Sequence, residues 1–545
     1  MDRHLLNIFI FLAQHMLLAC GAFFLLWALA LSWGPLRRQM HRLSPTLAHR
    51  LGLGVALAVL VGFVGVGVWY LALDGFAGEV EPLVTSLSWL VNSGEPLYHD
   101  FAYAQRYSVL YGPSVFLTNG LFLKVFGPSV LSAKLASLLG VFGSLVFLMA
   151  SLARPGRRQV AFGVTALAAL YLWSQGFSSY LVRPDSLLLF AVGLALFAVV
   201  KMGRLSALVT LAVMLAYAMN LKVHAAVYFL PILVLAVRRF GWRSVLTALV
   251  GSAVIIAAPF LLHPQVSALE YVGWIRNAMN QGLGMQTLAA TTQYSAYLLL
   301  PVVVLLLISP RRVSLLRRHA LVLGSLILAF LATLILAEKP GAGLVHLLPL
   351  VPTTMYLLGL LILDMVDDPA AMPGPGVLPR AAVTAVLMTV LLGGVVNVYR
   401  AVRLVGWQSD EMPGLAEEVR GIIAQYPDLT IGMACGGENA SFRSTWMHPL
   451  LVFAGHPLLV ETVAVMDCRL TGMDMPPASF DALEDGMVKL WLVPRGQQPF
   501  VKRNWYPPHE ALFSDRFRNH FETNYTPRGH TEYYDLWWWN GLEGE

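Results

Sequence analysis

Apolar runs separated by short polar breaks dominate the chain. Twelve of them are candidate membrane spans: residues 5–33, 51–73, 130–153, 160–174, 187–200, 205–219, 223–237, 245–262, 294–309, 321–337, 344–364 and 381–398. A straight helix needs roughly 20 apolar residues to cross a bilayer. Several runs are shorter, so their ends must borrow flanking residues or lie where the membrane thins. The first run is too long for a signal-peptide core and lacks a small-residue cleavage site, so it reads as a retained span. Residues 74–129 break the pattern. Asp74, Glu79, Glu81, Glu95 and Asp100 appear just as the chain leaves the second run, and Pro113, Pro128 and several glycines interrupt the segment. Two short apolar stretches inside it, 83–91 and 115–125, predict helices lying in the membrane interface.

The basic residues orient the runs, because Lys and Arg in short loops mark the cytoplasmic side. Arg37, Arg38, Arg42 and Arg50 share one set of loops with Arg154, Arg157, Arg158, Lys201 and Arg204. Arg238, Arg239, Arg243, Arg311, Arg312, Arg317 and Arg318 continue that set. The alternate loops, 74–129, 175–186, 220–222, 263–293 and 338–343, are poor in basic residues and hold most of the unusual polar groups. The acidic loop and everything after residue 398 are therefore predicted to be extracytoplasmic.

From about Gly406 charged residues, tryptophans and prolines become frequent and no run could cross a bilayer. Short runs at 429–433, 458–463, 489–493 and 534–539 predict strands, and 413–425 and 442–453 predict helices, which suits a small α/β domain. The expected architecture is mainly α. Residues 1–405 form a polytopic transmembrane helical bundle with its first external loop at 74–129, and residues 406–545 form an extracytoplasmic α/β domain.

Composition agrees. The 545 residues are 57% hydrophobic and only 12% charged, with a mean hydropathy of +0.65; a soluble domain carries about 25% charged residues. The net charge of +6 is modest. No basic tract or nucleic-acid motif is present, so no nucleic-acid partner is expected. Cys20 lies in the first run, while Cys435 and Cys468 lie in the tail, where an oxidising compartment would let them pair or leave them as free thiols.

Candidate chemistry gathers on the extracytoplasmic side. Asp74, Glu79 and Glu81 sit at the membrane exit, where a carboxylate in a half-apolar cavity can accept a proton from an attacking hydroxyl. The alternative is plain solvation at the headgroup level. Arg183-Pro184-Asp185 ends an aromatic stretch, Lys222 and His224 occur in NLKVH, and Glu338, Lys339 and His346 occur in EKPGAGLVHLLP. Ionisable groups at the rim of spans are costly and usually face a cavity or pair with one another. Gathered cations would suit a phosphate. Equally, Arg183 and Asp185 could form a local pair, Lys222 could reach to the interface, and His346 could be satisfied between helices. Asp74, Glu79, Glu81, His99 and Asp100 are ligand types that a divalent cation accepts, without a spacing that demands one. In the tail, Glu438, Arg443, His448, His456 and Asp467 read as surface or as acceptor contacts. Trp505, Tyr506 and Trp537-Trp538-Trp539 read as core, membrane anchors or sugar-stacking groups.

The words GEVEPLVTSLSWLVNSGEPLYHD, RYSVLYGPSVF, YLVRPDSLLL, NLKVH and HLLP, spread from Asp74 to about Val351, together with the placement of the tail, resemble the GT-C superfamily of integral-membrane glycosyltransferases. The similarity is to its protein O-mannosyltransferase and aminoarabinose transferase groups. The resemblance implies a polyprenyl-phosphate sugar donor, inversion at the transferred sugar, and a glycan, lipid or protein acceptor. Separately, the basic-loop pattern and the absence of a dilysine-like tail make a bacterial inner membrane the expected setting. The resemblance places the catalytic base at Glu81, with Glu79 and Asp74 as alternates, since the superfamily's adjacent Asp-Glu pair is missing here. By position, it assigns Arg183, Asp185, Lys222, His224, His346, Tyr98, Arg106 and Tyr107 to the carrier phosphate and sugar. A transporter or flippase of a lipid-linked substrate is the main rival reading. It accounts less well for the large acidic loop and the folded tail.

Overall fold

The computed structural model describes residues 3–36, 38, 44–285, 287–374, 376–437, 441–506 and 508–544. Arg37 and Arg42 of the first basic loop and Glu438 of the tail lie outside them. All twelve apolar runs are helical over most of their length. Eight described helices are long and apolar enough to cross a membrane: Thr46–Ala72, Val130–Leu152, Pro184–Lys201, Trp242–Leu262, Leu288–Ile308, Arg312–Leu336, Gly343–Asp367 and Val377–Arg403. The chain is thus an integral membrane protein. The expected single span over 5–33 is instead two helices, Arg3–Gln14 and Met16–Ser32, meeting at 108°. The polar Gln14-His15 step interrupts that run, and His15 leaves helical geometry at φ −112°, ψ 60°. Counted as one bent span, the pair brings the number to nine. Arg158–Trp173, Arg204–Met219 and Ala226–Phe240 have only 16, 16 and 15 residues.

The two sets of loops segregate to opposite ends of the bundle. At one end Arg154 and Arg157 pair with Asp367, Arg311 with Asp368, and Arg318 and His319 with Asp364. At the other end lie the acidic loop and the tail. The two short helices predicted in that loop are present as Val80–Asn92 and Pro113–Phe126. The first does not lie open on an interface: every residue from Glu81 to Ser88 is buried, and the tail helix His448–Phe453 packs over it.

The tail is joined to the bundle by one uninterrupted helix, Val377–Gln425. Its 49 residues make a rod about 70 Å long that passes residues 405 and 406 without a break. Beyond it four strands, β1 (Ile431–Met433), β2 (Leu490–Pro494), β3 (Tyr525–His530) and β4 (Tyr534–Trp539), form one sheet in the order β1-β2-β4-β3. β1 and β2 are parallel and the other pairs antiparallel. The strand expected at 458–463 is cut short: Val460 forms only an isolated parallel bridge with Arg106, and the helix Thr462–Arg469 takes over at residue 462. Its start is fixed by the Glu461 carboxylate, which accepts the Val463 and Ala464 N–H groups at 2.7 and 3.0 Å, as an N-cap does. β3 escaped the sequence pattern because YTPRGH is exposed, polar and carries Pro527. Such a strand is tolerated only at a sheet edge, which is where it lies. Leu490, Leu492, Tyr534 and Leu536 belong to the same continuous core as the membrane helices. The sheet is therefore seated on the bundle. Glu418 adds a polar tie, accepting the Glu532 and Tyr533 N–H groups at 3.1 and 3.0 Å.

Candidate active site

The helix Pro45–Ala72 ends at the membrane exit, where its last carbonyls need donors. Lys134, buried in the facing helix, supplies them, donating to the carbonyls of Tyr70 and Leu73 at 2.9 and 2.7 Å. The chain then turns through Asp74–Glu79, and Glu81 folds back under that turn. One Glu81 oxygen accepts the Ala77 and Gly78 N–H groups at 2.7 and 2.9 Å. The other accepts the Tyr70 hydroxyl and, at 2.9 Å, the N–H of Val182. The side chain has no solvent exposure. Burial pushes its carboxyl upward, and the Tyr70 and Val182 hydrogen bonds and Lys134 oppose that. With four donors on two oxygens, Glu81 has no lone pair turned toward a substrate. It locks the acidic turn to the residue that precedes Arg183.

Glu79 is different. It is half-buried, no described residue donates a hydrogen bond to it, and it lies in the electrostatic field of Arg183, Glu461 and Tyr506. Asp74 is exposed and lies in the field of Lys134.

Arg183 and Asp185 open the helix Pro184–Lys201, with Pro184 at its first position, where a missing N–H costs nothing. Asp185 is 1% exposed and lies between two cations, 2.8 Å from Lys222 Nζ and 3.7 Å from Arg183 Nε. Lys222 reaches it from the turn after Arg204–Met219. That turn is held against the first loop: Gly112 N–H donates to the Leu221 carbonyl and Ser114 N–H to the Asn220 carbonyl, both at 3.0 Å. A Cβ at Gly112 would strike the Asn220 backbone, so only glycine permits this approach. The contact brings Tyr111 into the electrostatic field of Arg183 and places Lys222 Nζ 6.0 Å from the Tyr111 ring centre. His224 and His346 stack beside them with ring centres 5.1 Å apart.

Arg183, Asp185, Lys222, His224 and His346 are thus brought together. Tyr98, Arg106 and Tyr107 are not. Tyr98 donates to the Tyr111 carbonyl at 2.6 Å and Tyr107 to the Pro96 carbonyl at 2.8 Å. Arg106 docks the loop on the tail, its N–H on the Leu459 carbonyl at 2.7 Å and its carbonyl on the Glu461 N–H at 2.9 Å. His99 is also committed. Burial pushes its imidazole down to about 4, and its Nε2 accepts the Tyr107 and Ser108 N–H groups at 3.3 and 3.2 Å. Among the described residues no three His, Cys, Asp or Glu side chains converge as metal ligands. Cys435 and Cys468 are free and buried. His448 and His456, read from sequence as surface or acceptor contacts, are buried. Trp537, Trp538 and Trp539 are built into β4 and pack on Phe521, Tyr426 and Gly486.

The tail adds two groups to the site. Tyr506 lies in the field of Asp467, Tyr111, Glu79 and Arg183. Its hydroxyl is 2.8 Å from where a Cβ on Gly341 would stand, so it reaches the 338–343 turn. Gln281 Nε2 donates to the Asp467 backbone carbonyl at 3.2 Å. From sequence Tyr506 reads only as an aromatic, since nothing local marks it as a site residue. Lys134, absent from the sequence-predicted site, does carry a sequence signal: it is a single cation within an apolar run.

Burial raises both Glu461 and Asp467 to about 7. The folded protein therefore holds these protons more tightly than the unfolded chain, and stability falls as pH rises across roughly pH 4 to 7. Asp467→Asn removes one of the two groups and should flatten that decline. Unfolding midpoints of the two proteins across this range check it, and parallel curves would reject it.

No family model matches the sequence, and no curated protein does. Solved structures do. ArnT from Cupriavidus metallidurans in the apo state superposes with a TM-score of 0.54 at 15% identity, over 88% of this chain and 98% of that one. The same protein bound to undecaprenyl phosphate gives 0.52 at 15% identity, over 88% and 97%. The Archaeoglobus fulgidus oligosaccharyltransferase gives 0.41 at 11% identity, over 81% and 69%. At this identity the likeness is one of fold, and the fold is the GT-C type that the sequence resembles.

Proposed function

We propose that this GT-C-folded chain is an inverting glycosyltransferase that moves a sugar from a polyprenyl-phosphate carrier to an acceptor hydroxyl at the extracytoplasmic face of a bacterial inner membrane. The observation that carries the reading is the buried Arg183–Asp185–Lys222 cluster beside Glu79, on a turn that Glu81 locks to Val182. The two cations suit a phosphate, and Glu79 is the carboxylate with free oxygens. The undecaprenyl phosphate present in the similar ArnT structure supports a lipid phosphate as the ligand class.

In this reading Glu79 takes the proton of the acceptor hydroxyl. The acceptor oxygen attacks the anomeric carbon from the face opposite the phosphate, and the bond from that carbon to the phosphate oxygen breaks. Its electron pair leaves with the carrier phosphate. Arg183 and Lys222 meet the charge that builds there, which is where fixed electrostatic help counts most. Residues 1–405 carry the chemistry. The tail, residues 406–545, closes the site with Tyr506 and Asp467 and faces a glycan, lipid or protein acceptor.

The test is transfer from radiolabelled polyprenyl-phosphate sugars in membranes containing the protein. Label should move from the carrier to an acceptor fraction. Movement of intact carrier between leaflets without transfer would establish the transporter instead.

A further inference from the structure

We propose that His224, His346 and Tyr228 form the subsite that holds the donor's sugar, and that this subsite takes a neutral, hydroxyl-bearing sugar. The inference rests on the glycosyltransferase reading and deepens it.

The three residues come from different elements. His224 lies in the turn that carries Lys222, Tyr228 in the first turn of Ala226–Phe240, and His346 in the 3₁₀ segment Gly343–Leu350. The two imidazoles stack at 25° between planes. The Tyr228 ring meets His224 edge-on, with centres 6.1 Å apart. Tyr228 and His346 are buried, at 0% and 7% exposure. His224 Nε2, His346 Nδ1 and the Tyr228 hydroxyl are all shielded from solvent, and none has a hydrogen-bond partner among the described residues. Buried polar atoms are nearly always paired, and one left unpaired needs an explanation. Three on one cluster, next to the cations that suit a phosphate, are explained by a polar ligand joined to that phosphate. A glycosyl phosphate has its sugar one oxygen away.

The chemistry selects the ligand class. A phenol both donates and accepts, and a neutral imidazole does one at each nitrogen, so the three atoms match sugar hydroxyls. They do not suit an ammonium. Lys222 is a charged neighbour of both imidazoles, with Arg183 beside His346 and Lys339 beside His224. The nearby carboxylate, Asp185, is already held by Lys222 and Arg183. The described residues also supply no third His, Cys, Asp or Glu that would make the histidine pair a metal cluster.

The experiment measures binding of five ligands to the full chain in nanodiscs: bare undecaprenyl phosphate, and the same carrier bearing glucose, mannose, galactose or 4-amino-arabinose. Wild type should bind at least one neutral glycosyl carrier about tenfold more tightly than the bare one, the scale of one added hydrogen bond. His346→Phe and Tyr228→Phe keep the ring packing and should each erase that advantage while leaving the bare carrier's affinity unchanged. Equal losses for bare and glycosylated carriers would overturn the subsite, as would a wild type with no preference for a neutral sugar. Strongest binding of the amino sugar would overturn the neutral class. A wild type that binds no carrier at all would overturn the glycosyltransferase reading itself, a different result from any of these.

Discussion

Glu79→Gln should abolish transfer while leaving the protein folded. A positioned general base contributes about 10²- to 10⁴-fold to a rate, so kcat should fall by that factor with carrier affinity and unfolding midpoint unchanged. Glu81→Gln should do the reverse. The four donors around Glu81 leave no acceptor for an amide NH₂, so one end of the glutamine must face two donors whichever way it turns. Buried donors left unpaired cost on the order of 1–3 kcal/mol each. The variant should therefore lose stability first, and activity as a consequence of a loosened 74–79 turn. Unfolding midpoints and kcat measured on both variants separate the roles. A stable, inactive Glu81→Gln beside an active Glu79→Gln would return the base to Glu81.

That contrast also shows where sequence reading stops. Glu79 and Glu81 are two residues apart, and nothing in the local sequence distinguishes them. What separates them is the fold: the turn aims the Ala77 and Gly78 N–H groups at Glu81, and Val182, 101 positions away, and Tyr70 on the preceding helix supply the other two donors. The helices themselves were legible because apolar length is a property of each segment alone. The bend at His15 and the short helices were less so, because crossing a bilayer depends on how a helix is packed as well as on its composition. Arg183, Asp185, Lys222, His224 and His346 were legible because ionisable groups at the rim of spans need a reason to be there. Arg106, His99, Tyr98 and Tyr107 showed the same polarity, but the structure spends it on folding the loop and docking the tail. Tyr506 is legible only as an aromatic with several possible uses, since it reaches the site only through the way the sheet sits on the bundle.

The second large effect concerns the buried ion pair. Lys222 and Asp185 are 5% and 1% exposed and 2.8 Å apart. Lys222→Met leaves Asp185 with only Arg183, at 3.7 Å on its other oxygen, and removing one partner of a buried pair typically costs about 3–5 kcal/mol. The double variant Lys222→Met, Asp185→Leu replaces both charges with apolar groups, an exchange that is often neutral or stabilising. It also leaves Arg183 without Asp185, so it should recover only part of the lost stability. It should not recover the carrier, because the phosphate has lost one of its two cations. A bidentate arginine alone holds a phosphate less firmly than an arginine with a lysine point charge beside it. Unfolding midpoints and undecaprenyl-phosphate affinity, measured on wild type, the single and the double variant, decide the matter. If stability returns without affinity, Lys222 is a phosphate ligand. If both return, Lys222 serves only to neutralise Asp185, and Arg183 alone receives the phosphate.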